Sequence, residues 1–297
     1  MLKKFIKEIL KKFFLILFKI GLKFKLIIVP DHYYVPISNI YDLKKNTSWR
    51  KKSELLGIKV DINKQLKNLY RIMPFQSEFK SGEQYIQAIK LNAGPGFGVI
   101  EAQALYGFIK YYKPNLTIEI GSGVSTHIML SADLKNIHCI EPYPSNYLIK
   151  NKNINLIKKK LQDVDLKIFE KLKKGDLLFI DSTHTLKIGS DVSVIYLDII
   201  PRLKPGVVVH IHDIGFPYNY LPDIENTFFQ WMETQFLHAL MINNKKIDIL
   251  FCLSHLHYEK PKELKKIFPN YIPRSIVSGL SSNLNDHFPS SIYLITR

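Results

Sequence analysis

The chain has 297 residues, 46% of them hydrophobic, enough for one substantial core and a small accessory region, which excludes a disordered or fibrous polypeptide. Lysine and arginine number 42 against 26 acidic residues, and the formal charge of +16 favours an anionic partner such as phospholipid, phosphorylated substrate or nucleic acid without choosing among them. The two cysteines, Cys139 and Cys252, fall in apolar stretches that read as interior strands, so a disulfide framework is not expected and a reducing cytoplasm fits.

Residues 1–29 are mostly Leu, Ile, Phe and Lys. The longest uncharged run, Phe13 to Phe18, is far below the roughly 20 residues that span a bilayer, and the apolar centre and cleavage site of a secretory signal are missing. Lys4, Lys7, Lys11, Lys12, Lys19 and Lys23 recur at helical spacing, whereas Phe5, Ile9, Phe13, Ile16, Ile20 and Phe24 fall mainly on other faces. That pattern describes an interfacial amphipathic helix, which either lies peripherally on the inner face of a membrane or packs on its own domain or a second subunit. On anionic lipid, each lysine contributes about 1 kcal/mol.

Residues 30–79 form an N-terminal accessory segment. Pro30 ends the helical pattern, and Asp31-His32-Tyr33-Tyr34-Val35-Pro36-Ile37 is expected to be ordered and extended, lining a sugar-binding face or packing a loop. From Ser53 to Phe79, Leu55, Leu56, Ile62, Leu66, Leu69 and Ile72 suggest one or two short helices. The stretch from Asn92 to Gly98 reads as a loop and precedes a helix from Ile100 to Tyr111.

Residues 80–297 alternate strand and helix, which predicts an α/β, doubly wound Rossmann-like sheet of seven strands. Strands are expected at Leu116 to Ile120, Ile137 to Ile140, Ile154 to Ile157, Asp176 to Ile180, Val207 to Ile211, Ile247 to Cys252 and Ser291 to Ile295. Helices are expected at Ser190 to Leu203 and Thr227 to Ile242, the latter with Phe228, Trp231, Phe236, Leu237 and Leu240 on an apolar face.

In such folds ligands sit beyond the carboxyl ends of the strands. The first strand runs into Glu119-Ile120-Gly121-Ser122-Gly123-Val124-Ser125, where the glycines permit a tight turn and Ser125 stands near a helix start that favours an anionic group. The alternative is an ordinary strand-turn-helix corner. Glu141, at the end of the second strand, is placed to accept ribose hydroxyls. Thr126 stands where a dinucleotide fingerprint wants its third glycine, which counts against NAD and for an adenosyl cofactor. Asp163, beyond the third strand, contacts an adenine or caps the next helix.

The fourth strand ends in Asp181-Ser182-Thr183-His184 and the fifth in His210-Ile211-His212-Asp213, and these ends are expected to be neighbours. Asp181 and Asp213, with His184 and His212 beside them, then act as general bases or hold a divalent ion. Asp181 as a turn cap and His210 as a core histidine are the plainer readings. His210 and His212 share one strand face and Asp213 takes the other, unless the strand turns before it.

With Asp31 to Ile37, Glu119 to Thr126, Ile140-Glu141-Pro142-Tyr143-Pro144, Phe179 to His184 and His210 to Ile214 together, the chain resembles the class I S-adenosylmethionine-dependent methyltransferases over about residues 98–297, and more narrowly a bacterial group linked to surface polysaccharide. The resemblance implies that Glu119, Gly121 and Gly123 form the cofactor loop, Glu141 holds the ribose and Asp181 lies beside the transferred methyl. Metal-dependent O-methyltransferases of similar fold carry acids at Asp181 and Asp213 and an Asp or Asn next to the second; here that neighbour is Ile214, so Mg²⁺ would need His184, His212 or water to complete its shell.

The expected activity is O-methylation of a sugar hydroxyl on a surface glycan or its precursor, with Asp181, His184 or His212 as base; a neutral imidazole of pKa near 6.5 is the better-matched acceptor. A rival from another class is a non-catalytic membrane-associated scaffold of polysaccharide enzymes. Nucleic acid is not an expected partner, because no Asn-Pro-Pro-aromatic signature or basic-aromatic stripe accompanies the charge.

Overall fold

The computed structural model describes residues 2–92, 96–221, 224, 227–271 and 289–297. The chain divides into two compact units, residues 1–47 with 225–230 and residues 48–224 with 231–297.

In the smaller unit, helix α1 (Leu2–Lys23) ends where the N–H groups of Phe24 and Leu26 both donate to the Gly21 carbonyl and turn the chain. Phe24, expected on the helix, therefore lies just beyond it. Phe5, Ile9, Phe13, Ile16 and Ile20 are all about half exposed or more. No helix among the described residues is long and apolar enough to cross a membrane. The Asp31 to Ile37 segment is not extended: the Val35 N–H donates to the His32 carbonyl at 2.8 Å, closing a tight turn. The rings pack on one another, His32 stacking on Tyr33 at 4.2 Å, and both tyrosines remain exposed. The Asn39 side chain then caps α2 (Ile40–Lys45).

The larger unit is built on a seven-stranded sheet ordered β3-β2-β1-β4-β5-β7-β6. Its strands are β1 (Thr117–Ile120), β2 (Ile137–Ile140), β3 (Asn155–Ile157), β4 (Leu177–Ile180), β5 (Val208–Ile211), β6 (Ile247–Cys252) and β7 (Ile292–Thr296). Each lies within a residue of its expected limits. Strands β1 to β5 pair in parallel, and β7 runs antiparallel between β5 and β6. Every residue of β1, β4 and β5 is buried, Glu119 and His210 included, and β4 reads as a continuous apolar run. Alternation sends Leu177, Phe179 and Val208 into one core and Leu178, Ile180, Val209 and Ile211 into the other.

Helices cover both faces: α3 (Ile62–Tyr70), α4 (Glu83–Asn92), α5 (Val99–Tyr112), α6 (Val124–Ser131), α7 (Asn146–Lys150), α8 (Asp191–Val194), α9 (Glu233–Met241), α10 (Leu253–Glu259) and α11 (Pro261–Ile267). Leu66, Leu69, Ile72 and Phe79, from the accessory segment, are buried in the same core as α5. Of the loop expected from Asn92 to Gly98, residues 93–95 lie outside the described residues.

Two helices differ from expectation. The run from Ser190 to Leu203 passes from α8 through a π-turn, Ile195–Ile199, into a 3-10 turn, Ile200–Arg202, where Pro201 has no N–H to continue the ladder. Helix α9 starts only at Glu233, because the N–H groups of Met232 and Glu233 donate to the carbonyl of His184 and tie the start of the helix to the loop after β4.

Strand β4 lies at the centre of this packing, and Leu178 is fully buried. Leu178→Ala is expected to lower unfolding free energy by about 2–5 kcal/mol in denaturant titration; a loss under about 1 kcal/mol would contradict a tightly packed sheet centre.

Candidate active site

The order of the sheet reverses between β1 and β4, which opens a crevice beyond their carboxyl ends. The chain leaves β1 through Gly121, in the left-handed region at φ 78°, and a β-carbon there would stand 1.7 Å from the Asp181 carbonyl oxygen. Only glycine fits so close an approach. The Ser122 N–H donates to the Glu141 carboxylate at 3.3 Å, so the β1 turn and the end of β2 share one polar corner. The Tyr143 N–H donates to the other Glu141 oxygen at 2.8 Å, and the carboxylate remains partly exposed.

Glu119 and Ser125 lie behind this turn rather than facing a ligand. Glu119 is fully buried and accepts from the Ser125 hydroxyl at 2.7 Å, the Thr126 hydroxyl at 2.6 Å and the Cys139 thiol at 3.2 Å. The Gly123 N–H donates to Thr126 Oγ1 at 3.0 Å. Thr126, where a dinucleotide fingerprint wants its third glycine, thus braces the turn, and the Ser125 hydroxyl expected at a cofactor anion is engaged by Glu119. Asp163 is exposed in a 3-10 turn beyond β3, and the next turn is capped by Asp165 instead.

Beyond β4 and β5 the sequence-predicted acids and histidines converge. His184 Nε2 lies 3.3 Å from Asp181 Oδ1 and 3.5 Å from Asp213 Oδ2; His212 Nδ1 lies 3.2 and 3.5 Å from the same two atoms. Strand β5 stops at Ile211, and Asp213 adopts a left-handed backbone at φ 56°, which brings its carboxylate to the side of His212 instead of the opposite face. His184 is left-handed too, at φ 54°. Non-glycine residues rarely hold that conformation, and the pair is strained at the point where the chemistry gathers. Asp181 is the open member, its side chain 25% exposed against 6%, 1% and 7% for His184, His212 and Asp213. Aromatic rings wall the cluster, Trp231 at 4.8 Å from His184 and Phe97 at 4.9 Å from His212.

Two buried carboxylates that sequence reasoning missed complete the arrangement. Glu233 Oε2 is 2.8 Å from His184 Nδ1, and Glu101 Oε1 is 3.2 Å from His212 Nε2. Glu101 also accepts from the Ser290 N–H at 2.9 Å, the Ser291 hydroxyl at 3.0 Å and, through its other oxygen, the Gly98 N–H at 3.0 Å. A signal for Glu101 was present, since an acid amid the apolar residues of α5 needs a partner; Glu233 offered none. His210 is a core histidine, stacked on Tyr293 at 4.0 Å and held neutral by burial, its pKa pushed down to about 3.

Burial alone would disfavour charge on both site imidazoles, yet the carboxylates win. Asp181 and Glu233 raise His184 to about 10, and Asp213, Glu101 and Asp181 raise His212 well above the ordinary range. Burial would likewise raise Asp181, but His212 and His184 hold its carboxyl well below the usual carboxylate range. The imidazoles expected from sequence as neutral bases are thus drawn toward the charged form by the carboxylates around them, and Asp181 is the member of the cluster that opens outward.

Three of these residues, Asp181, His184 and His212, each offer a ligand atom within 4.8 Å of the others, close enough to share a divalent ion. Asp213, expected with Asp181 as a metal ligand, falls outside that group, and its Oδ1 accepts from the Ser290 hydroxyl at 2.7 Å. Ile214 is fully buried and adds no ligand.

Burial pushes Glu119 up from 4.5 to about 7 against the hydrogen bonds of Thr126, Ser125 and Cys139. The folded state then binds this proton more tightly than the unfolded chain, so the stability involved is whole below the unfolded pKa and is lost as pH rises through the folded one. Glu119→Gln, neutral throughout, should gain on wild type by about 3 kcal/mol in denaturant unfolding between roughly pH 4.5 and 7.5; a difference that does not change with pH would overturn the assignment.

Known proteins share this part of the chain. Residues 118–214 match the family described as methyltransferase domain, a span that includes the glycine turn, Glu141 and the acid–histidine cluster. A protein of Archaeoglobus fulgidus, described as uncharacterized, is 34% identical over 163 residues, covering 49% of this chain and 74% of the archaeal one. The crystal structure of the SAH-bound Podospora anserina methyltransferase PaMTH1 is similar with a TM-score of 0.40 at 12% identity, covering 90% of this chain and 99% of that one. The chain therefore carries a match to a methyltransferase domain over residues 118–214, set in a Rossmann-like seven-stranded sheet.

Proposed function

We propose that the chain transfers the methyl group of S-adenosylmethionine to a hydroxyl oxygen, and that the acceptor is a sugar of a surface glycan or its precursor. The observation that carries the reading is the juxtaposition at the sheet reversal: the glycine turn and Glu141 on one side, and Asp181 in backbone contact with that turn on the other. The matched methyltransferase domain spans both sides of that juxtaposition.

Methyl transfer is an in-line displacement in which an acceptor oxygen bonds the methyl carbon, the carbon–sulfur bond breaks and S-adenosylhomocysteine leaves, while the hydroxyl loses its proton. In this chain Glu141 would accept the ribose hydroxyls and the Gly121–Gly123 turn would let the adenosyl group approach the backbone. Asp181, on the open side of the cluster, would accept the acceptor's hydrogen bond and its proton as the new bond forms. His184 and His212 fix the orientation of that carboxylate. Asp181, His184 and His212 are also the residues that would hold a divalent ion, which when bound would acidify the acceptor hydroxyl.

The membrane setting is a separate part of the proposal. It is supported by α1, where exposed Phe5, Ile9, Phe13, Ile16 and Ile20 accompany Lys7, Lys11, Lys12, Lys19 and Lys23, with Glu8 the sole acid of the helix. Peripheral attachment to the anionic inner face of a membrane would bring the chain to lipid-linked glycan precursors.

Calorimetry with S-adenosylmethionine is expected to give micromolar binding, weakened at least tenfold in Glu141→Ala; a folded protein that binds none would favour the scaffold reading. Asp181→Asn should lower turnover on a glycan acceptor at least a hundredfold, and undiminished turnover would remove Asp181 from its role. In sedimentation with vesicles, the full chain should follow anionic but not neutral lipid, and deletion of residues 1–29 should abolish this; no difference between the vesicles would refute the membrane setting.

A further inference from the structure

We infer that Asp181, His184 and His212 form a mixed imidazole–carboxylate centre for a first-row transition-metal dication such as Zn²⁺ or Co²⁺ in preference to Mg²⁺, with Glu233 and Glu101 behind the two imidazoles. The inference rests on the methyltransferase reading only in placing that centre beside the acceptor hydroxyl.

Three observations carry it. First, the donor atoms are already gathered: one nitrogen of each imidazole and one oxygen of Asp181 lie within 4.8 Å of one another, the nitrogens 3.3 and 3.2 Å from Asp181 Oδ1. Second, the opposite nitrogen of each ring faces a carboxylate, His184 Nδ1 in a hydrogen bond to Glu233 at 2.8 Å and His212 Nε2 at 3.2 Å from Glu101. A carboxylate behind a ligating histidine is the usual outer support of a metal site: it fixes the tautomer that leaves a lone pair facing inward and strengthens the ring as a donor. Both carboxylates are essentially fully buried, and Glu101 is itself held by Ser290, Ser291 and Gly98. Third, the rings have little freedom, with Phe97 and Trp231 packed against them.

The chemistry of the donors selects the ion. Mg²⁺ favours oxygen ligands and usually keeps several waters, whereas imidazole suits zinc, iron and nickel. The residue after Asp213 is the buried Ile214, so the oxygen ligand that an all-oxygen site would draw from that position is replaced by hydrocarbon. Two of the three gathered donors are nitrogen, and the opening lies on the Asp181 side, where an acceptor oxygen can complete the shell.

The test uses the full chain, stripped with a chelator and desalted. Co²⁺ titration should produce a visible ligand-field band at one equivalent, Zn²⁺ should abolish it, and Mg²⁺ at a hundredfold excess should leave it in place. His184→Ala should eliminate the band. Glu233→Gln and Glu101→Gln should each weaken Co²⁺ about 10–100-fold, with circular dichroism used to select folded samples. Wild-type protein that binds Co²⁺ no more tightly than Mg²⁺ overturns the inference without recourse to any variant, as does a band unchanged in His184→Ala. S-Adenosylmethionine calorimetry on the same samples separates the two readings: cofactor bound without Co²⁺ refutes the metal centre alone, and folded protein that binds neither refutes both.

Discussion

Everything in the larger unit is arranged around a charge imbalance that the fold has to sustain. Four carboxylates, Asp181, Asp213, Glu101 and Glu233, converge on two imidazoles inside a shell that water scarcely enters. Acidic side chains outnumber basic ones there by four to two, and uncompensated buried charge is among the costliest things a protein can hold. The arrangement persists because its partners come from separate rigid pieces. Asp181 and His184 follow β4, His212 and Asp213 follow β5, Glu101 belongs to α5 and Glu233 begins α9.

The glycine turn and the acid cluster are mechanically one object. With the Asp181 carbonyl directly against the Gly121 α-carbon, a shift in the turn displaces the acid, and the reverse holds equally. In the proposed reaction a methyl donor and a hydroxyl acceptor must be brought into line, and that depends on such rigidity, because small errors in alignment cost large factors in rate. Left-handed His184 and Asp213 belong to the same account: their backbone strain is the condition for aiming two side chains at one point from two adjacent parallel strands.

Much of this was legible in the sequence, for reasons that differ by element. The strands could be read to within a residue because β1, β4 and β5 are buried on both faces and so are short, largely apolar and β-branched. The helices were less legible. Pro201 and the hydrogen bonds to the His184 carbonyl act at particular backbone groups, which periodicity does not register. At the site, the residues that follow neighbouring strand ends were named, since topology alone makes them neighbours. Glu101 and Glu233 were not, because a helix contributes a partner by its packing orientation; the apolar surroundings of Glu101 say that it needs a partner without saying which. Glu119 and Ser125 were named at the turn, and their side chains run into the protein and brace the loop from behind.

The link between Glu101 and Ser290 joins residues 189 positions apart. Contacts so distant along the chain require large loops to close, which costs entropy. Strand β7 stands between β5 and β6, and Ser290 just before it reaches Asp213 and Glu101, so the buried carboxylates gain this support only when the far end of the chain is in place. A cation bound there would act as a folding ligand as well, tying the stability of the protein to ion supply.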